Sequence, residues 1–404
     1  MSAFTTQGDP RGAGGVPSIG VGMLGYAFMG KAHANAYRTL SYMTWPPPLR
    51  PELVAIAGRK EEAVAEAARR YGFTDHVTDW RALVADERIG LFDNSGPNNL
   101  HAEPTVAAAE AGKHVICEKP LGRDAAESYE TWQRVQATGV THMCAFNYRF
   151  VPAVRLAREL VDAGEIGEIR HFRGAYLQDW GDTTEQLWRF DKAAAGSGAL
   201  GDLGAHVVDL ARYLVGEVAT VSALTATFLE GREVDDAIEA AIAFECGAVG
   251  TIEATRFATG RRNAFRWEIN GSKGSIAFDV ERLNELQVHM EGSTPSKRAR
   301  GFRRVLVTET DHPFAEHWWP PGHIIGWEHT FVHELHHLLS AIRDGSEVAP
   351  HGATLEDGYR AAEVCDAIVR SSQTGAREAV TYRGWPPRCA GPLRVEQGRQ
   401  EEQQ

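Results

Sequence analysis

Cysteine is scarce in this chain: five residues (Cys117, Cys144, Cys246, Cys365 and Cys389) are scattered over 404 positions, odd in number and with no close pair. That excludes a disulfide-stapled scaffold and a cysteine metal knuckle, and four of the five lie in apolar surroundings, as reduced core thiols do. Basic charge is also short. Lys+Arg 42 against Asp+Glu 54 gives a formal net charge of -12, the opposite of a nucleic-acid-binding footprint. One local basic run, Lys297 to Arg304, reads as a solvated loop. No apolar run approaches the ~18 residues of a membrane span, and the N-terminus lacks the basic start and apolar stretch of a secretory signal. The expectation is a cytoplasmic protein with neither a nucleic-acid nor a membrane partner.

The length and the 43% hydrophobic content suffice for two or three domains with cores of their own. Residues 1–17 and 386–404 read as flexible tails. From 18 to 147, strand-like runs alternate with helical patterns: Ile19 to Leu24, a helix from Phe28 to Ser41, Leu53 to Ala57, a helix from Glu61 to Tyr71, Gly90 to Asn94, a helix from about His101 to Ala111, Val115 to Glu118, a helix from Asp124 to Ala137, and His142 to Asn147. Such alternation predicts a parallel, doubly wound Rossmann sheet. From 148 to 385 the pattern changes. A helix at Pro152 to Asp162 and a long strand at Ile169 to Gln178 lead to a helix at Asp202 to Leu214, a series of hairpin-like strands from Thr220 to Phe278, and two late helices. That order predicts an α+β second domain built on a large, mostly antiparallel open sheet.

Ligands of open α/β sheets bind beyond the carboxyl ends of the strands. Glu118-Lys119-Pro120 closes such a strand, so Lys119 is aimed at the cofactor crevice, although a Lys-Pro pair by itself is more often a solvated turn. Gly25-Tyr26-Ala27-Phe28-Met29-Gly30 follows the first strand and opens a helix, the place where backbone N–H groups approach a pyrophosphate. Ala27 stands where the middle glycine of that fingerprint belongs. The second strand ends in Gly58-Arg59-Lys60 rather than in the acid that receives ribose hydroxyls, and an arginine suits a 2′-phosphate. The cofactor is therefore NAD or NADP, with a lean to NADP. Asp202 and His206 are four apart and would share a helix face, where a carboxylate can orient an imidazole for proton transfer; a capping Asp and a core His are the bland alternative. Tyr148, Arg149, Gln178, Trp180 and Trp188-Arg189 mix aromatic faces with polar groups, as a sugar ring requires. His333-Glu334-Leu335-His336-His337, with Glu356 downstream, formally matches a zinc-peptidase helix. No peptidase signature surrounds it, so an incidental histidine-rich helix is the better reading and no metal is assigned.

In order along the chain, Gly25 to His33, Pro97-Asn98-Asn99-Leu100-His101, Cys117 to Leu121, Ala145 to Arg149 and Gly196 to Asp202 resemble the Gfo/Idh/MocA family, the glucose–fructose oxidoreductase and inositol dehydrogenase group. The resemblance spans about 17 to 385. Within the family, Phe28 to His33, Tyr176 to Trp180 and Gly196 to His206 are most similar to the levoglucosan dehydrogenase-like branch. The resemblance implies a nicotinamide dinucleotide held by Gly25, Phe28, Met29, Gly30, Gly58, Arg59, Pro97, Asn98, His101, Glu118 and Lys119. It also implies a sugar or cyclitol held by Lys119, Tyr148, Arg149, Gln178, Trp180, Asp202 and His206. Lys119, Asp202 and His206 would form the catalytic set: His206 takes the proton, Asp202 orients it, and Lys119 stabilises charge on the alcohol oxygen. The implied activity is NAD(P)-dependent interconversion of a secondary alcohol and a ketone, at C3 of a pyranose in this branch. A homo-oligomer, dimer or tetramer, assembled through the open sheet is implied as well. A non-catalytic dinucleotide-binding sensor is the alternative.

Overall fold

The computed structural model of the protein describes residues 15–384 apart from 184, 186, 294 and 295. The tails expected at 1–17 and 386–404, and Cys389 with them, fall outside these except for residues 15–17. The chain opens as β1 (Ser18–Leu24), α1 (Phe28–Met43), β2 (Arg50–Ala57), α2 (Glu61–Tyr71), β3 (Asp75–Val77), α3 (Trp80–Ala85), β4 (Leu91–Asn94), α4 (Ala102–Glu110), β5 (His114–Glu118), α5 (Ala125–Gln136) and β6 (His142–Ala145). Among the described residues these strands form a six-stranded sheet in the order β3-β2-β1-β4-β5-β6. The pairings are parallel throughout. Strand order reverses next to β1, which creates the crevice into which the ends of β1, β4 and β5 open.

Local chemistry explains these elements. α2 carries Glu61 and Glu62 in its first turn, Arg69 and Arg70 in its last, and Gly72 in the left-handed conformation beyond it, each favourable to the helix dipole or to the C-cap. β1, β4 and β5 are buried along most of their length, as parallel strands covered on both faces must be, with Asp93, Asn94 and Glu118 at the ends that face the crevice.

The second part runs α6 (Pro152–Asp162), β7 (Ile169–Leu177), α7 (Lys192–Ala195), α8 (Ala205–Leu214), β8 (Val218–Ala226), β9 (Ala237–Phe244), β10 (Val249–Thr255), β11 (Ala264–Gly271), β12 (Gly274–Asp279), β13 (Glu285–Met290), β14 (Arg303–Leu306), α9 (His329–Asp344), α10 (Leu355–Thr374) and β15 (Glu378–Ala379). Its sheet has the order β14-β13-β12-β11-β7-β10-β9-β8-β15. All neighbours are antiparallel except β7 and β10, which run parallel. Burial alternates along β9 to β12, so one face packs on α8 and α10 while the other is open. The parallel pair needs a long crossover, and that crossover carries residues 178–217 past the crevice of the first sheet.

The sequence reading lacks β3, α3 and β13 and differs in two further places. Part of the basic run expected to be a solvated loop is the edge strand β14; charge on an edge strand blocks further pairing. The helix expected to start at Asp202 begins instead with a π-type turn at Leu200–Gly204. α9 also returns to the first domain: Phe331, Leu335, Leu338 and Leu339 join Val21, Met23, Tyr37 and Leu40 in one core cluster. No described helix is long and apolar enough to cross a membrane.

Candidate active site

The carboxyl ends of the parallel strands and the crossover of the second domain enclose a cavity of about 420 Å³. Gly25 directly follows β1 with φ +103, and a Cβ there would lie 2.5 Å from the Ser95 carbonyl oxygen. Gly30 sits so close to that turn that a Cβ would fall 2.2 Å from the Gly25 oxygen. These contacts fit the first and last glycines of a dinucleotide turn, where the helix must pack tightly on the strand. Of the expected cofactor residues, Phe28, Met29, Asn98, His101, Glu118 and Lys119 line the cavity. Gly25, Gly58, Arg59 and Pro97, beyond adjoining strand ends, and Gly30, in the first turn of α1, do not line it. Asn98 Nδ2 donates to the Ala195 carbonyl at 2.9 Å. The His101 ring lies between the carbonyl oxygens of Pro120 and Gly96 at 2.6 and 3.0 Å, tying the loops after β4 and β5 together. Below them His33 bridges two carboxylates, Asp93 at 2.9 Å and Glu118 at 3.1 Å. Glu118 in turn accepts the Lys119 backbone N–H at 3.1 Å.

From the second domain, Tyr148, Gln178, Trp180, Asp202 and His206 line the same cavity. Lys119 Nζ donates to the Asp202 carbonyl at 2.8 Å and to its Oδ1 at 3.3 Å. Arg256 Nη2 donates to Asp202 Oδ2 at 2.9 Å, and Arg189 Nε stands 3.9 Å from the same oxygen. Burial pushes the Asp202 carboxyl up, but Lys119, Arg256 and Arg189 outweigh it and hold the group well below the usual carboxylate range. His206 makes no hydrogen bond with Asp202, against the orienting role expected for that carboxylate. The π-type turn is the physical reason: its hydrogen bonds run i→i+5 rather than i→i+4, so residues four apart no longer stack. The His206 ring is instead packed edge-on against Tyr148 at 4.8 Å, with Nδ1 buried and without a hydrogen-bond partner among the described residues. Burial, then the Lys119 charge, keeps this imidazole well below its ordinary range against a weaker pull from Asp202.

A polar row completes the second wall. The Tyr148 and Tyr176 hydroxyls are 3.0 Å apart, Tyr176 donates to Asn263 Oδ1 at 2.7 Å, and Gln178 Nε2 donates to the same oxygen at 2.8 Å. Sequence reasoning had not singled out Tyr176, Asn263, Arg256 or Trp327 for the site. Strand alternation could have found Tyr176, because positions 176 and 178 share one face of β7 and its extension; Asn263 and Arg256 had no local signal.

Arg149 does not join the cavity. It is 2% exposed, donates to Asp209 Oδ1 at 2.5 Å and lies 3.4 Å from Asp357. The tight turn at Asn147–Phe150 sends Tyr148 into the cavity and Arg149 into the protein. The zinc-peptidase pattern also fails. His333 accepts a hydrogen bond from Trp318 Nε1 at 2.6 Å and donates from Nδ1 to the Phe150 carbonyl at 2.9 Å; His337 Nε2 donates to the Val348 carbonyl at 2.7 Å. Both rings are committed to protein partners, and no cluster of three or more metal-ligating side chains occurs among the described residues.

Residues 19–146 match an oxidoreductase family with an NAD-binding Rossmann fold, and residues 154–277 match the GFO/IDH/MocA C-terminal domain. The chain belongs to the Gfo/Idh/MocA oxidoreductase family. Within it, levoglucosan dehydrogenase of Pseudarthrobacter phenanthrenivorans is 45% identical over 381 residues, covering 88% of this chain and 96% of that protein. Inositol 2-dehydrogenase of Rhizobium meliloti is 27% identical over 359 residues, 88% of this chain and 97% of its own. The solved structure of a levoglucosan dehydrogenase in complex with NADH has a TM-score of 0.87 at 45% identity, covering 90% of this chain and 99% of that one. As a Gfo/Idh/MocA oxidoreductase the protein has an NAD-binding Rossmann domain, and the cavity stands where that domain's parallel strands end.

Proposed function

We propose that the protein is an NAD(P)-dependent dehydrogenase that interconverts a secondary alcohol and a ketone on a sugar, glycoside or cyclitol, with C3 of a pyranose as the favoured position. The observation that carries this reading is that Lys119, bonded to Asp202, and His206 line one cavity. An ammonium has three donors; two of those on Lys119 are engaged by Asp202, which leaves the third for an oxygen in the cavity. His206, with Nδ1 unpartnered among the described residues, is placed to take the hydroxyl proton. Charge that develops on the alcohol oxygen is met by the Lys119 donor. The row Tyr148, Tyr176 and Gln178, the last two held by Asn263, offers donors and acceptors to ring hydroxyls, and Trp180 and Trp327 supply apolar faces.

The bound nicotinamide would accept the hydride. The tight Gly25–Gly30 turn, the ends of β4 and β5 and the loop at Pro97 would hold the dinucleotide. Arg59, at the end of β2 where no acid stands, supports acceptance of a 2′-phosphate as well as of NAD. The open face of the second sheet supports assembly into a dimer or tetramer, and the buried free thiols of Cys117 and Cys144 suit the cytoplasm. The test is absorbance at 340 nm with NAD and NADP against a panel of pyranoses, glycosides and cyclitols. The expected result is cofactor reduction with at least one of them; tight cofactor binding without turnover on the whole panel would point to a sensor instead.

A further inference from the structure

Arg256 enters the site from outside the residues that the family pattern marks. It directly follows β10 and is 1% exposed, among the largest fully buried side chains of the protein. Its Nη2 donates to Asp202 Oδ2 at 2.9 Å and to the Gly198 carbonyl at 3.1 Å. The guanidinium lies 4.6 Å from the Trp180 ring centre, while Nε and Nη1 have no hydrogen-bond partner among the described residues. A guanidinium buried with part of its donor set unused is expensive, and an apolar side chain of similar volume is often no worse for stability. Packing alone is therefore a poor reason for an arginine here.

We infer that Arg256 is a positioning residue for the reaction: by donating to Asp202 Oδ2 it holds the carboxylate turned with Oδ1 toward Lys119 and offsets charge that would otherwise act on His206. The inference rests on the reading of Lys119 and His206 given above. The two are residues of different domains, and Asp202 is the only carboxylate shown bonded to the Lys119 side chain among the described residues. Without a second cation the whole Asp202 charge would fall on Lys119 and on the imidazole, and an opposite charge within about 4–6 Å favours the protonated form of a base. Arginine suits the task because it cannot lose its proton, so the balance at Asp202 is independent of pH. The groups facing Asp202 are Lys119, Arg189 and Arg256; those facing His206 are Lys119, Asp202 and the hydroxyls of Tyr148 and Tyr176. Arg189 can only assist, since it is a third exposed and 3.9 Å away.

The test does not depend on turnover. Hydrogen–deuterium exchange at His206 Cε1, read by mass spectrometry across pH in the full-length protein without ligands, gives the midpoint at which that ring loses its proton. Arg256→Met and Arg256→Gln should each move the midpoint upward by about one pH unit, and Arg256→Lys should restore it to near the wild-type position. If Arg256→Met does not fold, Arg256→Gln decides, since it keeps a donor for the Gly198 carbonyl. A midpoint unmoved in a folded neutral variant would overturn the inference. Absence of turnover on the sugar panel would instead count against the proposed function and leave this exchange result to be judged by itself.

Discussion

Two buried charge networks are strung along the stretch from Asp202 to Glu217, and they differ in how charge is balanced. In one, Arg149 pairs with Asp209 and Asp357, Arg212 with Glu217 and Asp357, and Arg360 with Glu217 and Glu356. Each arginine there has at least two carboxylates to meet, so no cation is left over for a ligand. In the other, one carboxylate, Asp202, serves Lys119, Arg256 and Arg189. The balanced network fastens α8, α10 and the turn at Asn147–Phe150; the unbalanced one leaves cationic donors at a cavity. Burial and ion pairing look alike in both. The ratio of partners separates fastening from chemistry.

Arg149→Ala tests the fastening role most severely. It strands Asp209 without its main partner, and breaking a buried pair in this way costs about 3–5 kcal/mol. Chemical denaturation should show that loss, while kcat per folded molecule stays within a few-fold of wild type. A matching collapse of kcat would merge the two networks. His206→Gln should do the converse: kcat falls about 10²–10⁴-fold, the usual worth of a positioned acid–base group, with little change in the denaturation midpoint.

Acid tests the fastening network directly. Burial opposes ionisation of Glu217 and Asp357, but the arginines beside them prevail and both are held at about 2. Their contribution to stability is thus present above the ordinary carboxylate range of about 4 and is lost as pH falls through about 2. Urea midpoints measured from pH 5 downward should decline over that window, and Arg212→Met should flatten the decline. A smaller effect is expected at the cofactor end. Arg59→Ala should raise KM for NADP about tenfold by removing a cation from a 2′-phosphate and leave KM for NAD nearly unchanged; equal effects on both would remove the phosphate-binding role.

The parallel sheet was legible because short buried runs such as Val21 to Leu24 and Val115 to Cys117 alternate with helical patterns. β3 was not: three residues, Asp-His-Val, hold no apolar run, and their pairing with β2 decides the matter. β14 opens on Arg303-Arg304, with no alternation to mark it. Within the site, Lys119, Asp202 and His206 were legible from spacing and resemblance, and the structure brings all three to one cavity. The relation between Asp202 and His206 was not, because helical spacing presumes an α-helix and the chain makes a π-type turn there. Arg149 misled for a related reason: adjacent residues of a tight turn face opposite ways. Arg256 and Asn263 meet their partners across 54 and 87 residues, a separation that no local pattern encodes.

The central claim is that Lys119, fixed by Asp202, acts on an alcohol in the cavity of a dinucleotide-dependent sugar dehydrogenase. It is tested most directly by comparing wild type and Lys119→Ala at 340 nm on whichever sugar the panel yields, with cofactor binding followed by fluorescence. The account predicts a loss in kcat of about 10³-fold, the upper range for removing one preorganised donor to a developing oxyanion, with the cofactor still bound. Turnover by Lys119→Ala within a few-fold of wild type would contradict it.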